Sequence, residues 1–180
     1  MGSFHRGDWL SLTQSVVTLL AIAGAFGVVF VQNRLESKRA EETARKDRIR
    51  QRYRTSTYAE ALIGNSVEAA VEVVDGVEEL AGRMPTMQDI KLEATRIDDC
   101  ARALAQAMHQ ELPTEITRCV HAAWAAVQKL SRAIHRVDHI GDMRTDLLLA
   151  YCRDRLLEQE AALKTVRDSR VKWEAALATI

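Results

Sequence analysis

Charge vanishes from the chain at Trp9 and returns only at Arg34, a gap of 25 residues. The centre of that gap, Val16 to Val31, is apolar almost throughout. About 20 such residues are enough to cross the hydrocarbon core of a bilayer as a helix. The pattern predicts a single-pass transmembrane helix over residues 9–31, with the more polar WLSLTQS stretch in the headgroup layer and Trp9 as an interfacial anchor. Gly24 and Gly27 do not argue against it, because backbone in lipid must bond internally and transmembrane helices tolerate glycine. A cleaved leader fits less well. Arg6 is offset by Asp8, and after the small residues Ala21 to Ala23 the apolar run continues through GVVFV. Gly2 is not a myristoylation signal, since Arg6 stands where serine or threonine is needed.

Past residue 54 the pattern changes to stripes with helical spacing. Ile90, Ala94, Ile97, Ala101, Leu104 and Met108 step alternately by four and three. Ile116, Val120, Ala123, Val127, Leu130, Ile134 and Val137 do the same. A third line runs Leu149, Cys152, Leu156, Gln159, Leu163, Val166, Arg170, Trp173, Leu177, and a fourth runs Tyr58, Leu62, Ser66, Ala69, Val73, Val77, Leu80, Met84. The breaks between them are short. Thr86 with Asp89 resembles a capping box after Pro85. Pro113 suits a first helical turn, and Gly141 with Asp142 offers a stop and a cap. The fold expected is all-α: the transmembrane helix continues into an antiparallel up-down-up-down four-helix bundle with coiled-coil-like seams. The organisation expected is a short extracytoplasmic tail at 1–8, the span at 9–31, a basic juxtamembrane neck at 32–54, and the bundle at 55–180. Its helices are expected near 55–83, 86–111, 113–139 and 142–179. The last is the longest, so its end should pair with the neck, Trp173 capping against Tyr53 and the carboxyl terminus facing the membrane. Gly64-Asn65-Ser66 is the expected place for a kink.

Charge changes the picture, because 25 basic and 25 acidic residues cancel overall but not locally. Residues 32–54 hold nine basic and four acidic residues, net +5, while residues 55–180 hold 15 basic and 20 acidic, net −5. Lysine and arginine concentrate on the cytoplasmic side of a span. The amino terminus is therefore expected outside and the body in the cytoplasm, a bacterial inner membrane being the setting expected. Arg34, Lys38, Arg39, Arg45 and Lys46 form a collar positioned to meet anionic headgroups. In the span, small residues recur at Ser11 and Ser15, Ala21 and Ala25, and Ala23 and Gly27. Ala23 with Gly27 marks a face where two helices can approach closely.

Candidate chemistry is sparse. The three cysteines, Cys100, Cys119 and Cys152, are odd in number and widely spaced, as small apolar residues in a reducing compartment would be. His135 and His139 share a face, but HRVDH lacks the glutamate of a zincin. A ferritin-like site needs Glu three residues before a histidine. The residues three before His109, His121, His135 and His139 are Gln106, Arg118, Arg132 and Arg136. No glycine-rich phosphate loop occurs. The RKDRIRQRYR stretch has a simpler cause in topology and lipid than in nucleic acid. No cofactor, metal or catalytic constellation is expected.

Gln159 and Arg170 interrupt a seam; each is expected either to set register or to pair with an acid such as Glu60 across the neck, the alternative being that both simply lie near the open, membrane-facing end where water reaches. The acidic residues of 55–83 read as a solvated face, with docking of a basic partner as the alternative. The function expected is a membrane-tethered cytosolic interaction or scaffold module without catalysis, bound to the bilayer and to a protein partner or a second copy. Two alternatives are a membrane-active effector, of toxin or phage type, that oligomerises through its span, and a metal-binding or enzymatic bundle using His135 and His139.

Overall fold

The structure, a computed structural model, describes residues 6–82, 87–137 and 145–179, with side chains over 13–79, 94–136 and 146–179. Among them the chain is all-helical, without strands. It forms four helices: α1 (Arg6–Gly82), α2 (Met87–Met108), α3 (Thr114–Val137) and α4 (Thr145–Ala178). The expected cap at Thr86, the stop at Gly141 and Asp142, Met84, and the side chains of Trp9, Leu80, Asp89, Ile90 and Val137 lie outside the described residues.

No proline occurs before Pro85, so nothing in the sequence interrupts α1 through its 77 residues. Helix assignment is continuous across Gly64-Asn65-Ser66. Ser66 turns its hydroxyl onto the Ile63 carbonyl at 2.8 Å, and Ser56 does likewise onto Arg52 at 2.8 Å. Both serines are thus buried in the helical face without an unpaired hydroxyl. Between α2 and α3 the chain turns at His109–Pro113. The Pro113 carbonyl accepts from the Thr117 amide at 2.9 Å and from the Thr117 hydroxyl at 3.2 Å. Pro113 therefore stands one place ahead of α3, where a missing N–H leaves no gap.

Two compact units divide the chain, Met1–Asp47 and Arg48–Ile180. In the first, every described side chain is exposed. In the second, α2 packs on α3 and α3 on α4. One apolar core draws on all four helices, including Ile63 and Val73 from α1, Ile97 and Leu104 from α2, Val127 and Leu130 from α3, and Cys152 and Val166 from α4.

The stripes of α2 and α3 fall inside at every described position from Ala94 to Leu104 and from Ile116 to Ile134. The stripe of α1 is rotated at its start. Tyr58 is 41% exposed, and Ala59 and Ile63 fill the core in its place. The expected line stepped by four twice, Tyr58 to Leu62 to Ser66, and successive steps of four drift around a helix. The buried line, Ser56, Ala59, Ile63, Ser66, Ala70, Val73, Val77, alternates three and four and holds its side.

Candidate functional site

The first feature with functional potential is built by α1. From Val16 to Val31 its apolar side chains are exposed, Phe26 by 72% and Phe30 by 68%. This helix is long and apolar enough to cross a membrane. Thr18 inside the stretch donates its hydroxyl to the Gln14 carbonyl at 2.8 Å, so it presents no unpaired donor. Ala23 and Gly27 lie one turn apart on one face. A side-chain carbon added at Gly27 would meet nothing within 4 Å in this chain. Arg34, Lys38, Arg39, Arg45 and Lys46 are all exposed. At about 100° per residue they cover an arc of roughly 140°, with Arg34, Lys38 and Arg45 along one ridge and Arg39 and Lys46 along another.

The second cluster lies where α2 meets α3. The Ser131 hydroxyl donates to Asp98 Oδ1 at 2.6 Å, and His135 Nε2 lies 2.9 Å from Asp98 Oδ2. Burial pushes the Asp98 carboxyl up, but the hydrogen bonds of Ser131 and His135, with the charges of His135 and Arg102, outweigh it and leave the pKa below the usual value. The carboxylate stands between hydroxyl and imidazole. In a nucleophilic relay the imidazole stands between hydroxyl and carboxylate, so here Ser131 acts as a donor to Asp98 rather than as an activated nucleophile. His139, the expected companion of His135, lies outside the described residues. Among the described residues no three of His, Cys, Asp and Glu gather as metal ligands.

The thiols are held in their protonated form. Burial pushes Cys152 up to about 11. Burial also raises Cys119, with Glu115 adding to it, and raises Cys100 against the opposing charge of Arg96.

The third cluster joins the lower part of α1 to the end of α4. Glu60 receives Arg170 Nε at 2.6 Å and Arg167 Nε at 3.2 Å. Glu60 holds the Arg170 guanidinium above its ordinary range, through its charge first and its hydrogen bond second, with Tyr53 adding another hydrogen bond. Arg52 stacks over Trp173 at 4.7 Å. Trp173 therefore meets the neck through Arg52, while Tyr53 beside it engages Arg170.

Three more acids of α1 are used in the same way. Glu68 and Glu72 pair with Arg96 of α2, and Glu78 with Arg153 of α4. Four of the acids read from the sequence as one solvated face thus join α1 to its neighbours. Asp98 and Ser131 were not anticipated. Ser131 and His135 are one turn apart in sequence, which is a visible signal, but the facing carboxylate needs the register between two helices. The chain matches no family model, and no curated protein or solved structure matches it.

Proposed function

We propose that this chain is a membrane-tethered interaction module. Residues 9–31 of α1 cross the bilayer once, with the amino terminus outside. The body is an antiparallel up-down-up-down four-helix bundle in the cytoplasm, on a bacterial inner membrane, and it acts by binding rather than by catalysis. Confinement at a surface raises the effective concentration of the body for any partner held there.

One observation carries the reading. A continuous apolar surface from Val16 to Val31 is exposed and is followed immediately by nine basic residues before position 55. Exposed apolar surface of that extent needs a nonaqueous partner. At about 1.5 Å per residue the 9–31 segment is roughly 35 Å long, against a hydrocarbon core of about 30 Å. The bundle topology is supported by the order of interhelical pairs. Along α1 from Glu60 to Glu78, the partners on α4 fall from Arg170 and Arg167 to Arg153. Asp98 of α2 meets Ser131 and His135 of α3, and Lys129 of α3 meets Glu158 of α4 at 4.0 Å.

Fractionation with protease protection tests the tether. The chain should sediment with membranes, resist alkaline extraction, and keep residues 55–180 intact when protease is added outside spheroplasts. A soluble chain, or a body digested from outside, would sink the proposal.

A further inference from the structure

The seam between α3 and α4 carries charges sorted by helix on its outer side. Lys129 of α3 meets Glu158 of α4 at 4.0 Å, and Glu115 and Cys119 wall one groove with Thr165, Asp168 and Lys172. The two helices therefore run past each other in opposite senses. Counting along both from the Lys129–Glu158 contact, Glu115 stands level with Lys172 and Ala122 with Thr165. Within one residue, Arg118 stands level with Asp168, Arg132 with Asp154 and Ala125 with Ala161. Side chains seven apart stay on one flank of a helix, drifting only about 20°. On α3 that flank joins Glu115, Ala122 and Lys129, with Arg118, Ala125 and Arg132 beside them. On α4 it joins Glu158, Thr165 and Lys172, with Asp154, Ala161 and Asp168 beside them. All of these are exposed except the half-buried Ala125.

On this face the sign of the charge reverses across the seam at each charged level. α3 is basic at Arg118, Lys129 and Arg132, where α4 is acidic at Asp168, Glu158 and Asp154. Where α3 turns acidic, at Glu115, α4 turns basic, at Lys172. Glu160 belongs elsewhere. It lies seven residues from both Arg153 and Arg167, on the flank whose arginines pair with Glu78 and Glu60 of α1. Within one chain Lys129 and Glu158 make a long contact, and the other three level pairs form no ion pair among the described residues. The middle of the face is small, with Ala122, Ala125, Ala161 and Thr165, so a second pair of helices can approach closely. Leu157, 60% exposed, stands one turn from Ala161. A two-fold axis parallel to the helices sets α3 of one copy against α4 of the other with every level unchanged. Each basic level then meets an acidic one twice over, and Glu115 meets Lys172. Docking α3 on α3 would instead oppose Arg118, Lys129 and Arg132 to their own copies. The same axis leaves both copies of α1 running in one sense, so both chains enter their bodies from the same side, as a single bilayer requires.

We infer that the outer face of the α3–α4 seam is a homotypic interface, on which a second copy of this chain docks its α4 against α3 and its α3 against α4, about a two-fold axis parallel to the helices. The inference rests on the interaction-module reading and deepens it by naming the surface and its occupant.

The test uses the full chain in detergent micelles, in a Gly27→Leu background so that contact between spans does not contribute. Light scattering, corrected for detergent, should give the mass of two chains. Arg132→Glu or Asp154→Arg should each weaken association roughly tenfold or more, because the axis sets like charges together twice. Mixing the two variants should restore it, since in a mixed pair every altered side chain meets its opposite and so does every unaltered one. Damage inside one chain is not repaired by adding another, so the mixture separates an interface from a fold defect, and circular dichroism of each variant checks the fold directly. Arg118→Glu with Asp168→Arg repeats the test at the other end of the face. A single-chain mass for the parent, association indifferent to Arg132→Glu, or mixtures that stay as separate chains would overturn the inference. Fractionation of the same variants separates the two proposals. A membrane-bound monomer sinks only the interface, and a soluble dimer sinks only the tether.

Discussion

Gln159 encloses a whole amide in the core of Arg48–Ile180. It is 0% exposed, and neither its oxygen nor its nitrogen meets a hydrogen-bonding protein group. A buried amide without a partner costs about 1–3 kcal/mol, whereas an apolar side chain of similar shape has no such penalty. Gln159→Met should therefore raise the unfolding free energy by about 1–2 kcal/mol in a denaturant titration. A loss of stability would show that the amide is hydrogen-bonded after all. The sequence placed Gln159 on the seam but suggested that water reaches it there, and its burial corrects that expectation. Its neighbours along the stripe, Leu163 and Val166, are themselves buried.

Asp98 is the opposite case, a carboxylate with two donors. Its folded pKa lies below the ordinary value, while an unfolded aspartate titrates near 3.9. The stabilisation it contributes is thus fully present above about pH 4 and is lost as pH falls through the lowered folded pKa. Ser131→Ala removes one donor and should cost about 1 kcal/mol at neutral pH. The difference between mutant and parent should shrink on acidification. Melting curves from pH 7 to pH 2 check both statements, and a difference independent of pH would mean that the hydroxyl acts through packing alone.

Among the elements, the neck is where sequence and structure can be compared most closely. Pairing of Arg170 with Glu60 was one of the alternatives the sequence offered, because matching the surplus length of α4 to α1 brings the end of α4 near the neck, though several residues out of the observed register. The same reflection about the Pro113 turn brings Asp98 near Ser131, yet it gives level and not rotation, so the contact stayed invisible. Rotation also explains Tyr58, whose stripe was followed through two steps of four. Of the candidate site residues, Ala23, Gly27 and the collar are all exposed, and their parts in helix packing and lipid contact belong to the proposed tether. Arg170 and Glu60 are 30% and 20% exposed, an intermediate setting in which a pair is worth more than on the open surface. Arg170→Ala should destabilise the fold in a denaturant titration, partly by leaving Glu60 with Arg167 alone. A cycle with Glu60→Gln should show favourable coupling between the two positions. Additive effects would mean that the Arg170–Glu60 pair contributes nothing of its own.

For the molecule as a whole, the balance of basic residues on the two sides of the span is the quantity that matters. Residues 32–54 carry nine, and the segment before the span carries Arg6. Orientation follows that asymmetry when it lies within about 15–20 residues of the span. Arg34, Lys38, Arg39, Arg45 and Lys46 fall inside that window. All are exposed and lie in the unit Met1–Asp47, whose described side chains bury nothing. Replacing the five by glutamine should leave the melting of Arg48–Ile180 unchanged while removing most of the bias. Each basic residue near an anionic surface also contributes about 1 kcal/mol of attraction, so the same variant should hold its neck less tightly to vesicles containing acidic lipid. With lysines added at Ser3 and Gly7, the chain should insert in the reverse sense. A reporter fused at the carboxyl terminus and active only outside the cytoplasm then distinguishes the cases: silent for the parent, partly active for the neutralised collar, fully active with the added lysines. A reporter that stays silent in all three would show that the body itself, rather than the collar, dictates which side of the membrane it occupies.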